Sequence, residues 1–268
     1  MKKNISSMHS QTIGVIDSGV GGLSILNNLT QHYSNHNFVY IADAAHLPYG
    51  QKSYTYLLER ATRITQFLQE KNISTIVVAC HTLSATILPE LQALFPEIQY
   101  IDMIPPTIYK ALEVTKNKQI GVMATTATIE RSFHKKLLKM ADENVMVYEQ
   151  ACPLFVELIE KETNTQELNN AIDLYLQPLL KNNVDTIILG CTHYPFIEHL
   201  LHKKAPTITF VSAAHTLLPE TISQCLELQP THIDFITSAS VDYLIQAVNR
   251  YFRPTTLVQK TYYSQNQL

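Results

Sequence analysis

Two segments restrict this chain more than any other feature. Thr75-Ile-Val-Val-Ala-Cys80 returns later as Thr186-Ile-Ile-Leu-Gly-Cys191. At nearly the same offset, Ile13-Gly-Val-Ile16 returns as Ile120-Gly-Val-Met123, and Tyr40-Ile-Ala-Asp43 is echoed more faintly by Val147-Tyr-Glu-Gln150. An internal repeat points to a duplicated structural unit. Short Val- and Ile-rich runs at Thr12–Ile16, Phe38–Ala42, Thr75–Ala79, Gln119–Met123, Val145–Glu149, Thr186–Leu189 and Thr207–Val211 predict strands. Helical periodicity fills Tyr54–Lys71, Ala85–Phe95 and Gln166–Lys181 between them. This alternation predicts an α/β fold of two similar domains with mainly parallel sheets flanked by helices, related by a pseudo-two-fold axis. Residues 11–104 with 216–255 are expected to form the first domain, 105–215 the second, and 256–268 a tail or peripheral element. In each lobe a cysteine ends a strand, on the side of the sheet where α/β ligands bind. Facing lobes would bring both thiols into one cleft.

Composition removes several classes of function. The 268 residues are 46% hydrophobic and 16% charged, with a net charge of −3. No basic field is available for nucleic acid. No apolar run reaches the ~18 residues that span a bilayer. The opening MKKNISSMHS lacks the apolar core of a secretory signal. The expectation is a cytoplasmic protein with no membrane partner, acting on a small molecule. Assembly is left open, a homodimer included. In a reducing compartment Cys80, Cys152, Cys191 and Cys225 are expected as thiols.

Asp17-Ser18-Gly-Val-Gly-Gly22 follows a strand and opens a helix, so its backbone N–H groups suit an anion such as a carboxylate. The third glycine of a dinucleotide fingerprint is absent, because position 24 is Ser. The plainer interpretation is a turn with Asp17 as helix cap. Cys80-His81-Thr82 and Cys191-Thr192-His193 each place a thiol at a strand-to-helix junction, where the helix dipole is expected to lower its pKa towards neutrality. Each cysteine alone reads as packing; a matched pair in two repeats reads as function. Cys80, His81, Cys191 and His193 are competent zinc ligands, but adjacent residues are hard to aim at one ion and no C-x-x-C occurs. Phosphatase chemistry lacks an arginine after Cys80. Asp43 ends a strand, where it could support a thiol or an ammonium group. Pro48-Tyr49-Gly50 is a turn signal, and Thr125 and Thr128 share one face of a helix start.

Taken together these motifs resemble the glutamate racemases. The matching segments are Ile13–Gly22, Asp43, Pro48–Gly50, Ala79-Cys80, Ala124-Thr125 with Thr128, Ala151-Cys-Pro-Leu-Phe155 and Leu189-Gly-Cys-Thr-His-Tyr-Pro195. The resemblance implies two α/β domains with the site between them, no cofactor, no metal, and D-glutamate made for peptidoglycan. It assigns the D-glutamate proton to Cys80 and the L-glutamate proton to Cys191, with Asp17, Asp43, Glu160 and His193 assisting the thiols. Glu160 is placed only by its spacing from Cys152-Pro153. Pro48 and His81 are added as residues at the substrate. Ser18, Tyr49, Gly50, Thr82, Thr125, Thr128 and Thr192 fall at substrate-binding positions.

Two departures stand out. His81 occupies a position where the family usually has Asn, and Asp43-Ala-Ala-His46 replaces its usual Asp-Thr-Ala-Arg. Imidazole is bulkier than an amide and can ionise. Two alternatives therefore stay open: racemisation of a related amino acid such as aspartate, or a paralogue that binds glutamate without turning it over.

Overall fold

A computed structural model describes residues 11–161, 165–216, 222 and 231–265. Cys225, residues 217–221 and 223–230, and the last three residues of the expected tail lie outside the described residues. The strands, in chain order, are β1 (Thr12–Asp17), β2 (Asn37–Ala42), β3 (Thr75–Val78), β4 (Gln99–Asp102), β5 (Gln119–Ala124), β6 (Met146–Ala151), β7 (Thr186–Gly190), β8 (Thr209–Ser212), β9 (Thr231–Thr237) and β10 (Val258–Ser264). They form two sheets, ordered β10-β9-β2-β1-β3-β4 and β6-β5-β7-β8. Every pairing is parallel. Parallel sheets need cover on both faces, and helices supply it here.

The repeat is visible as topology. The order β2-β1-β3-β4 is reproduced by β6-β5-β7-β8. Register agrees as well: Ile13 pairs with Phe38, and its counterpart Ile120 pairs with Val147. Strand alternation sends side chains to separate cores on the two faces of each sheet. Val15, Phe38, Tyr40 and Val77 enter one core of the first sheet, while Ile16, Ile41, Ile76 and Val78 enter the other. Ile120, Val122 and Ile188 lie on one face of the second sheet, and Met123, Ile187 and Leu189 on the opposite one.

The seven expected strands are all present. Three further strands were not read from the sequence. β4 has only four residues, two of them polar or charged. β9 alternates polar and apolar residues in THIDFIT. β10, VQKTYYS, is a partly exposed edge strand inside the segment read as a tail. The helical stretch expected at Ala85–Phe95 is two helices, His81–Thr86 and Leu88–Leu94. Pro89 explains the break, since it cannot donate a helix hydrogen bond and is tolerated only in a first turn.

In each sheet the chain leaves the central strand for one side, then returns to the other. Ligand crevices form at the carboxyl ends of such strands. The two crevices lie where β1 and β3, and β5 and β7, end.

Candidate active site

Cys80 follows β3 and Cys191 follows β7. Both line one cavity, with Ser18, Leu47, Pro48, Tyr49, Gly50, His81, Thr82, Thr125, Val156, Thr192 and His193. Its volume is ≈20 Å³, little more than one water needs. The lobes are drawn together over the site.

Glycine makes that closure achievable. A Cβ on Gly21 would collide with Thr192 Oγ1 and lie 2.5 Å from His193 Nδ1; one on Gly50 would lie 2.6 Å from Thr125 Cβ. At both places backbone of the first lobe touches side chains of the second. Hydrogen bonds cross the same boundary. Ser24 Oγ donates to the Thr192 carbonyl at 3.1 Å, and Thr192 Oγ1 to Asp17 Oδ1 at 3.1 Å. The hydroxyls of Thr82 and Thr125 lie 3.0 Å apart, as do those of Thr125 and Thr128.

Asp17 is buried at the end of β1 and accepts the Gly19 N–H at 3.1 Å. It does not cap the next helix, which begins at Leu23 behind Gly22 without a side-chain cap. Burial pushes the Asp17 carboxyl up from its usual value, against the opposing pull of His193 and backbone N–H groups.

The thiol expected to be softened by its helix behaves otherwise. Cys80 is pushed up to about 12, by burial first and the Asp17 carboxylate second. The Leu83 and Thr82 N–H groups pull down but do not prevail. Its helix has only six residues, so a small dipole opposes a large desolvation cost.

On the other side His193 Nδ1 is 3.8 Å from Cys191 Sγ, and Nε2 is 2.7 Å from Glu160 Oε1. Burial alone would lower the His193 pKa. Its bonds to Cys191 and Glu160 together outweigh that and hold it well above the ordinary imidazole value. Glu160 is lowered in turn: burial would raise it, but His193 and the Tyr243 hydroxyl stabilise the carboxylate.

His81 packs across the lobe boundary against His134, with Nδ1 and Nε2 3.3 Å apart and ring planes within 2° of parallel. Burial lowers His81 to about 4 and His134 well below its usual value. Burial thus favours two neutral rings sharing one hydrogen bond.

Of the residues singled out from the sequence, Ser18, Pro48, Tyr49, Gly50, Cys80, His81, Thr82, Thr125, Cys191, Thr192 and His193 line the cavity. Asp17, Thr128 and Glu160 stand one bond behind it. Asp43 lies behind the cavity wall, where its carboxylate takes a two-pronged bond from Arg60 and one from the Tyr49 hydroxyl. Arg60, His134 and Tyr243 were not found from the sequence. Each lies in a helix whose periodicity alone gives no reason to single it out. Among the described residues, no three His, Cys, Asp or Glu side chains form a group that could hold a metal ion. Cys152 is buried in the second lobe, with its thiol 3.5 Å from the Gln150 carbonyl.

The Asp/Glu/Hydantoin racemase family model matches residues 13–218. A glutamate racemase of Pseudomonas aeruginosa is 39% identical over 201 residues, spanning 75% of this chain and 76% of that protein. One from Latilactobacillus sakei is 36% identical over 229 residues, spanning 84% and 83%. The crystal structure of a glutamate racemase from Bacillus anthracis superposes with a TM-score of 0.85 at 30% identity, covering 95% of this chain and 98% of that one. One from Francisella tularensis in complex with D-glutamate gives 0.82 at 26%, again covering 95% and 98%. With repeat, fold and cleft in agreement, this chain belongs to the Asp/Glu/Hydantoin racemase family.

Proposed function

We propose that this protein interconverts L- and D-glutamate without a cofactor, with Cys80 and Cys191 as its two proton carriers. The observation that carries the reading is the arrival of both thiols, from equivalent strands of two repeats, at one cavity. The glutamate racemases matched above support the choice of substrate.

The chemistry is demanding because an amino-acid α-proton is weakly acidic. Positioning and preset electrostatics must carry the step. Backbone N–H groups at Ser18 and Thr82 meet the α-carboxylate, and the Thr82, Thr125 and Thr192 hydroxyls complete its surroundings. The thiols start unequal. A charged His193, fixed by Glu160, offers Cys191 an N–H donor, an arrangement that suits a thiolate. Cys80 is held as a thiol by burial and Asp17. From L-glutamate, Cys191 takes the α-proton while Cys80 delivers its own to the opposite face; the roles reverse from D-glutamate. A site with room for little more than one water must open to admit glutamate, then close to exclude solvent. D-Glutamate so made serves peptidoglycan synthesis, and the reduced thiols suit a cytoplasmic setting.

The test is racemisation in heavy water. L-Glutamate should yield early D-product carrying solvent deuterium while unconverted L-glutamate stays unlabelled. Cys80→Ser and Cys191→Ser should each abolish full turnover; wild-type rate in either variant sinks the scheme.

A further inference from the structure

Asp43 ends β2 with no exposure, and a buried carboxylate needs a partner. His46 is the near candidate in sequence. Its Nε2 stops 3.9 Å from Asp43 Oδ1, and its Nδ1 is bound to the Tyr56 hydroxyl at 2.5 Å. The partner is Arg60, from the middle of the helix Tyr54–Glu70. Its Nε donates to Asp43 Oδ2 at 3.0 Å and its Nη2 to Oδ1 at 2.8 Å. Arg60 is 5% exposed and shares the buried stripe of Leu57, Ala61 and Ile64. A guanidinium in a core stripe carries a desolvation cost that an apolar residue would avoid, so its placement calls for a task.

The task is visible beyond Asp43. Asp43 Oδ2 also accepts the Tyr49 hydroxyl. Tyr49 is a buried wall of the cavity and packs in the same apolar cluster as Cys80. Its turn reaches the other lobe, with Leu47 against the second lobe's core and Gly50 against Thr125. We propose that Arg60 is a positioning residue of the racemase site. Through Asp43 it fixes Tyr49, and so sets the Leu47–Gly50 wall against Cys80 and Thr125. This rests on the glutamate reading of the same cleft.

The experiment is a double-mutant cycle on glutamate turnover with Arg60→Lys and Tyr49→Phe. Each alone should raise KM about tenfold, the scale of one lost well-placed hydrogen bond, with kcat changed less. Combined, they should do no more harm than the worse single change. Moving the cation, Arg60→Gln with His46→Arg, should recover most of what Arg60→Gln alone loses. Additive effects, a wild-type KM in Arg60→Lys, or no recovery by the relocated arginine overturns the proposal. Iodoacetamide labelling of Cys80, followed by peptide mass spectrometry, reads the same cycle without substrate. Both single variants should label faster than wild type, and the pair no faster than either. Wild-type protein that fails to racemise glutamate rejects the substrate reading alone, and the labelling cycle then decides on Arg60.

Discussion

Single residues in this cleft are set by burial more than by their immediate sequence neighbours. His81 shows the effect on stability. Its folded pKa is about 4, against 6.5 for the free group, so between those values the unfolded chain binds the extra proton. Its contribution is complete above pH 6.5 and is lost as pH falls towards 4, at roughly 1.4 kcal/mol for each tenfold difference in proton affinity between the two states. Thermal unfolding should therefore show the midpoint dropping from pH 7 to pH 5, and His81→Asn should flatten that limb. His193 has the opposite sign. Its raised pKa gives stability that is present below the free value and lost as pH rises through the folded one. His193→Gln should flatten the alkaline limb. At Asp43, substitution by Ala strands Arg60 as a buried unpaired cation, a loss of about 3–5 kcal/mol, measurable by urea unfolding. The residue-level motifs were legible: thiols, glycines and threonines stood out because their chemistry is local. Arg60 and His134 did not, because each matters only through a partner on a different element.

Among elements, the helix Tyr54–Glu70 was read correctly from its stripe, and its first turn explains why it starts where it does. Ser53 adopts extended backbone, and its hydroxyl accepts the Tyr56 N–H at 3.3 Å. Ser53→Ala should cost about 1 kcal/mol in urea unfolding. The helix places Arg60, so any slackening should also register in KM. The boundary between the helices His81–Thr86 and Leu88–Leu94 was missed because apolar spacing continues through Ile87. Only Pro89 marks the restart. Strands that carry the repeat were found because both their faces are buried, leaving continuous apolar runs. β9 and β10 extend the first sheet on one side, where polar residues mix in and weaken the signal.

For the whole molecule, function depends on how two similar lobes meet. Gly21 is the sharpest test, since a methyl there would collide with both Thr192 and His193. Gly21→Ala should hold the lobes apart, cutting turnover at least tenfold while circular dichroism stays that of a folded protein, because the clash lies between cores and not inside one. Full activity in that variant means the closed geometry is not the working one. The sequence by itself determined the architecture: parallel two-faced sheets, a duplicated unit, and a cysteine at the carboxyl end of a strand in each. Those properties follow from periodicity and from the chemistry of neighbouring residues, which a linear string records. Only the tertiary structure decided which side chains share charge and how. It paired Asp43 with Arg60, set His81 as a neutral ring against His134, and raised Cys80 where its helix alone would have lowered it. The reason is physical: desolvation and pairing depend on everything within a few ångströms, and folding fills that volume with residues far apart along the chain.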